Sequence, residues 1–140
     1  MSTEELVQFI AREFPQAKNS GRLVHLGEDS LECRLEFRDD FLRPGGTISG
    51  PTLMGLADSA AYFLILGMIG PVALAVTTSL NINFMRRPVP DEMVAKAKML
   101  KLGRQLAVVE VYIEAASTGA LVAQASVTYS IPPAKSAATT

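Results

Sequence analysis

Tryptophan is absent from this 140-residue chain, and histidine and cysteine occur once each, as His25 and Cys33. A single thiol excludes a disulfide within the chain, and one histidine with one cysteine is too small a set of soft ligands for a zinc site built by one chain. A Ser-His-Asp hydrolase would have to rest on His25, and the Gly-x-Ser-x-Gly elbow is missing, since Ser49 follows Gly46-Thr47-Ile48. His25 reads instead as a strand residue on a partly exposed surface. Neither a Gly-x-Gly-x-x-Gly fingerprint nor a phosphate-binding P-loop occurs, which removes the common nucleotide enzymes. An excess of one charge is lacking too. With 13 Lys and Arg against 14 Asp and Glu the net charge is −1, so no global field draws a polyanion and nucleic acid is not an expected partner. The acidic start Met1-Ser2-Thr3-Glu4-Glu5 lacks the basic and apolar regions of a secretion signal, and the expected compartment is the cytoplasm.

Apolar material, by contrast, is plentiful. Hydrophobic residues make up 49% of the chain and charged ones 19%, which suffices for one compact domain, read as residues 1–134, alone or with copies of itself. The Ala, Ser and Thr-rich residues 135–140 read as a mobile tail. From Ser59 to Leu80 there are 22 residues without a charge, long enough to cross a membrane. Gly70-Pro71 cuts that segment, and its second half alternates like a strand, so it reads as a buried helix followed by a strand, with no membrane partner.

Ser2 and Glu5 form a capping box, and Leu6, Val7, Ile10 and Phe14 share one face of a short helix that stops at Pro15. Arg22 to Leu26 and an alternating run over Leu31, Cys33, Leu35 and Phe37 read as two strands joined by a turn at Gly27–Ser30. Asp39 to Gly46 is a loop by composition. Ser49-Gly50-Pro51 then opens an apolar helix, with Pro at its first position, that runs to about Gly67. Leu74, Val76, Thr78, Leu80, Ile82 and Phe84 alternate in a long strand, followed by strands over Met93–Leu102, Gln105–Ala115 and Leu121–Ile131. A helix without a wide polar face cannot lie on the outside of a sheet, so the sheet must curl around it or a second subunit must cover it.

Between Arg43 and Arg86 the one charged side chain is Asp58, near the middle of the apolar helix. A lone carboxylate there is costly to bury without hydrogen bonds or a task. Thr52, Gly55, Asp58, Ser59 and Tyr62 recur at helical spacing and make a narrow stripe along which a ligand could lie. Gly45, Gly46 and Gly50 bracket the start of the helix, where free N–H groups could hold an oxyanion or where the glycines could serve only a tight turn. Arg86, Arg87, Lys96, Lys98, Lys101 and Arg104 could meet phosphates or simply form a solvated strand face.

Taken together, Gly46-Thr-Ile-Ser-Gly-Pro-Thr-Leu-Met-Gly-Leu-Ala-Asp-Ser-Ala60 and Ala75-Val-Thr-Thr-Ser-Leu-Asn-Ile-Asn-Phe-Met-Arg-Arg-Pro88 resemble the hotdog-fold acyl-CoA thioesterases of the phenylacetic-acid-degradation type. Lys101-Leu-Gly-Arg104 and Gly119-Ala-Leu-Val-Ala-Gln124 match two further motifs, and the resemblance covers roughly Phe37 to Ile131. It implies an α+β hotdog fold, a curled antiparallel sheet wrapped around a central helix with a short N-terminal helix beside it. It implies hydrolysis of aryl or medium-chain acyl-CoA, with coenzyme A as part of the substrate and no separate cofactor or metal. Asp58 takes the place of the catalytic base or nucleophile, Gly50 that of the oxyanion donor, and Thr77 that of a hydroxyl near the reacting water, usually across the subunit interface. Phe84, Lys101, Gly103 and Arg104 match positions on the coenzyme A side, with Arg86 and Arg87 as further phosphate candidates and Tyr62 with Phe63 setting the depth of the acyl pocket. A homodimer or tetramer with sites between subunits is implied. Arg43, Ser49 and Pro51 stand where relatives carry Asn or Gln, His and Gly; Arg43 is also placed to pair with Asp58. An acyl-CoA or small-ligand binder without turnover is the alternative these three departures raise.

Overall fold

The computed structural model describes residues 1–15, 21–70 and 75–133. Leu74, which the alternation assigned to a strand, and the expected tail lie outside them. Helix α1 spans Thr3–Glu13, with both bonds of the Ser2–Glu5 capping box present. Its buried residues are Leu6 and Phe9, whereas Val7, expected inside, is exposed. The inward stripe runs through positions 6, 9 and 10 of the helix.

Strands β1 (Arg22–Leu26) and β2 (Ser30–Leu35) form the expected hairpin, closed by the Gly27 N–H on the Ser30 carbonyl at 2.8 Å. β2 stops before Phe37, because the chain leaves the sheet for a 3-10 turn at Asp39–Phe41. The segment read as loop supplies one strand and the turn of a small hairpin, β3 (Leu42–Arg43) with β4 (Thr47–Ile48) just beyond it. Gly45 and Gly46 make its turn at φ +102° and +78°, backbone that a side chain would strain, so their task is the turn.

Helix α2 covers Gly50–Ile69. Ser49 is its N-cap and Gly50 its first residue, which puts Pro51 second rather than first; either place needs no intrahelical N–H. The helix runs two residues past Gly67 and ends at Gly70, φ +94°. Four long strands follow: β5 (Val76–Phe84), β6 (Met93–Leu102), β7 (Leu106–Ala115) and β8 (Leu121–Ser130). With β1 and β2 they make one antiparallel sheet in the order β1-β2-β6-β7-β8-β5.

One face of this sheet packs on α2. Ala95, Ala97, Val109, Val111, Ile113, Ala123, Ala125 and Val127 alternate inward along β6 to β8 and meet Leu53, Leu56, Ala60, Phe63, Leu64 and Ile65 of the helix. Small residues on the central strands let the helix approach closely, and α1 closes part of the remaining side. By length and composition α2 could cross a membrane, but most of its surface is buried against the sheet and α1. The expected curled-sheet architecture is therefore the observed one.

Gly21 illustrates how tightly the layers meet. At φ +134° its missing Cβ would lie 2.7 Å from the Cys33 Sγ and 2.9 Å from the Leu56 Cδ1, both in the core. Gly21→Ala should cost about 2–4 kcal/mol, combining backbone strain with overpacking, read as a lower urea midpoint. Adding Cys33→Ala should recover part of that loss.

Candidate active site

Asp58 lies eight residues into α2, half-buried, on the side facing the junction of β5 and β8. Its Oδ1 accepts two hydrogen bonds, from Thr77 Oγ1 at 2.6 Å and from the Tyr129 hydroxyl at 2.8 Å. Its Oδ2 meets no donor among the described residues. The tyrosine hydroxyl also lies 3.2 Å from the Asp58 carbonyl oxygen. Thr77 reaches the helix because of an irregularity: the β5–β8 register shifts between Thr77 and Ser79, which turns the strand over at that point. Simple alternation had set Val76 and Thr78 inward; Val76 is instead 57% exposed and Thr77 faces the carboxylate. Asp58 and Thr77 of the same chain are thus in contact.

Gly50 heads α2, so its N–H is among the first-turn donors that a helix leaves unmatched. A Cβ on Gly50 would meet the Phe84 ring at 3.4 Å, so Phe84, half exposed, flanks that N–H. Eight residues of helix separate Gly50 from Asp58, about 12 Å of rise, too far for both to act on one carbonyl within one chain. Ser49 works as the helix cap: its hydroxyl lies 2.7 Å from Thr52 Oγ1 and accepts the Thr52 N–H at 3.4 Å. Arg43 is exposed on the small hairpin and forms no ion pair with Asp58. Tyr62 is buried and stacks on Tyr129, centroids 5.7 Å apart, with Phe14 edge-on to its other side at 5.1 Å. An apolar hollow of about 380 Å³ beyond it is lined by Val7, Ile10, Phe14, Leu23 and Phe63, and Asp58 is not in its wall.

The basic residues are not gathered in one chain. Lys101 lies near the end of β6 and Gly103 and Arg104 in the β6–β7 turn, at the end of the sheet where Leu106 pairs with Ser130, and Ser130 with Val76. Arg86 and Arg87 follow β5 at the opposite end, where Arg86 Nε donates to the Leu121 carbonyl at 2.9 Å. Lys96 and Lys98 are tied to Glu114 and Asp29 on the outer face of the sheet. The residue that sequence reasoning missed is Tyr129. Its signal was there: an inward position in an alternating strand, whose hydroxyl must find a partner when buried.

Comparison with known proteins follows the same lines. Residues 45–122 match the family model described as the thioesterase superfamily. A solved structure from Silicibacter sp. TM1040, provisionally named a thioesterase, is 38% identical, covers 95% of this chain and 93% of its own, and superposes with a TM-score of 0.87. A phenylacetic acid degradation-related protein from Ralstonia eutropha JMP134, provisionally named a thioesterase, is 23% identical over 88% of this chain and 98% of its own, TM-score 0.78. A hypothetical thioesterase from Streptococcus pneumoniae TIGR4, solved with coenzyme A, is 18% identical over 91% and 97%, TM-score 0.76. These two share the fold. A Thermoplasma acidophilum protein provisionally named an esterase is 23% identical over 87 residues, 62% of this chain, and the chain spans 65% of that relative's length.

Three buried acids around the helix have their protons held by folding. Burial pushes the Cys33 thiol up to about 12 from an ordinary 9.0, and burial followed by the charge of Glu13 pushes Tyr62 up to about 12 from 10.0. Burial, then the Asp58 charge, raises Tyr129 as well. In each case the unfolded chain loses its proton first as pH rises, so the stability involved is whole below about pH 9 and declines above it. The urea midpoint should therefore hold from about pH 7 to 8.5 and fall progressively toward pH 11. Cys33 should resist a thiol reagent at neutral pH until urea unfolds the chain.

Proposed function

Because the chain belongs to the thioesterase superfamily, we propose that it hydrolyses acyl-CoA thioesters carrying aryl or medium-chain acyl groups, with Asp58 as the catalytic carboxylate. The observation that carries this reading is Asp58 itself, the one charge on an apolar helix, held by two hydroxyls at one oxygen while the other meets no donor among the described residues. As general base, Oδ2 takes a proton from water as the water oxygen bonds to the thioester carbon. The tetrahedral intermediate then expels the coenzyme A thiolate, which is protonated to the thiol, leaving the free acid. As nucleophile, the same oxygen bonds to the thioester carbon and expels the coenzyme A thiolate, giving a mixed anhydride that water hydrolyses to the free acid and the Asp58 carboxylate. Negative charge on the carbonyl oxygen is met by the Gly50 N–H at the positive end of α2.

The ~12 Å along the helix supports a site shared between copies, in which Asp58 of one subunit and Gly50 of another converge on one thioester. β5 supplies the means. Among the described residues it pairs with β8 alone, so it presents an open ladder edge together with exposed Val76, Phe84 and Met85. In such a homodimer, itself able to pair into a tetramer, Arg86 and Arg87 of one copy and the Lys101–Arg104 turn of another are the candidates for the coenzyme A phosphates, with Arg43 and Ser49 beside the Gly50 donor. Coenzyme A is supported by the related fold that holds it, and the cytoplasm is the compartment we assign, where acyl-CoA is available and Cys33 stays reduced.

Release of coenzyme A thiol from a panel of aryl, short and medium acyl-CoAs tests the activity. Asp58→Asn should lower kcat by about 10²- to 10⁴-fold while a non-hydrolysable acyl-CoA thioether still binds. Binding without turnover in the natural sequence would instead establish the ligand-binding alternative. The subunit arrangement has its own test. Sedimentation should give at least twice the 15.0 kDa chain mass. Mixing inactive Asp58→Asn with inactive Gly50→Pro, which removes the N–H, should restore about a quarter of the sites if carboxylate and oxyanion donor come from different copies, and none if they share a chain.

A further inference from the structure

We infer that Tyr129 is a positioning residue: with Thr77 it fixes Oδ1 of Asp58 and thereby reserves Oδ2 as the oxygen that meets water or the thioester carbon. The inference deepens the reading of Asp58 as the catalytic carboxylate and rests on it. The terminal torsion of an aspartate is broad and roughly two-fold, so an untethered carboxylate exchanges its oxygens freely. Here two hydroxyl donors, at 2.6 and 2.8 Å, fill the two-bond acceptor capacity of Oδ1. The carboxylate plane is then set by the protein, and the charge remaining for reaction is on Oδ2.

The register of the sheet makes this arrangement. Thr77 and Tyr129 are partners directly across the β5–β8 ladder; alternation along β8 turns Tyr129 to the helix side, and the irregularity beside Thr77 brings its hydroxyl to the same side. Tyr129 is 4% exposed and its ring is stacked on Tyr62, which is braced in turn by Phe14. The phenol is thus placed by packing before it bonds to anything, as a supporting residue must be. Its raised pKa keeps it a neutral donor at any working pH, so it holds the carboxylate and does not exchange protons with it.

Tyr129→Phe removes the oxygen and keeps the ring stack. The test follows two readouts in the natural sequence and in this variant, with circular dichroism confirming the fold. The first is kcat and KM with the best substrate of the panel. The second, independent of activity, is the carboxyl-carbon resonance of Asp58 at neutral pH, read by NMR with ¹³C-labelled aspartate. We expect kcat to fall about tenfold with KM little changed. The Asp58 resonance should move, because one of the two hydrogen bonds at Oδ1 is gone. Thr77→Val should move it as well. An unchanged resonance would overturn the inference and leave the phenol a packing group. If the natural sequence hydrolyses nothing, the proposed activity fails on its own, while the resonance still decides whether Tyr129 holds Oδ1.

Discussion

Twenty residues of helix carrying a single charge cannot face water along any wide side, and the other elements are arranged around that constraint. Each fully covered leucine or isoleucine of α2 contributes about 1.5–3 kcal/mol by leaving water, more than any surface ion pair of this molecule contributes. The small residues of β6, β7 and β8 let the sheet reach the helix axis closely. α1 covers part of the side that the sheet leaves open, and the turn at Gly45-Gly46 delivers the chain to the start of the helix at the right height.

The same constraint makes Asp58 informative. A carboxylate set into such a helix loses hydration, and the loss has to be met by donors on the elements that do the covering. β5 and β8 meet it with one hydroxyl each, on residues that are partners in the ladder. Covering the helix and orienting its one charge are therefore a single packing event. The departures at Ser49 and Pro51 belong to the start of the helix. Ser49 caps it, and Pro51 occupies a position whose N–H has no helical partner, so both substitutions act on the end of α2 that points away from Asp58.

Much of this was legible from periodicity. The capping box at Ser2, the glycine hairpin between β1 and β2, the 93–102 strand and the isolation of Asp58 all follow from local rules that tertiary packing did not override. Errors fell where a local rule met a competing one. Val7 was set inside and Phe9 is, since a helix face is chosen by what packs on it. The loop at 39–46 supplies one strand and the turn of a small hairpin because two positive-φ glycines close it. In β5, strict alternation put Thr77 outside, and one irregular step in the ladder put it on the carboxylate.

The sequence by itself determined the order of elements, the apolar helix and the lone charge upon it, because these depend on residue type and on spacing of a few residues along one chain. Only the tertiary structure decided which hydroxyls reach Asp58 and that Arg43 does not. Those outcomes depend on sheet register and on how distant segments pack. Tyr129 lies 71 positions from Asp58 along the chain, and no local pattern specifies how two segments so far apart will align.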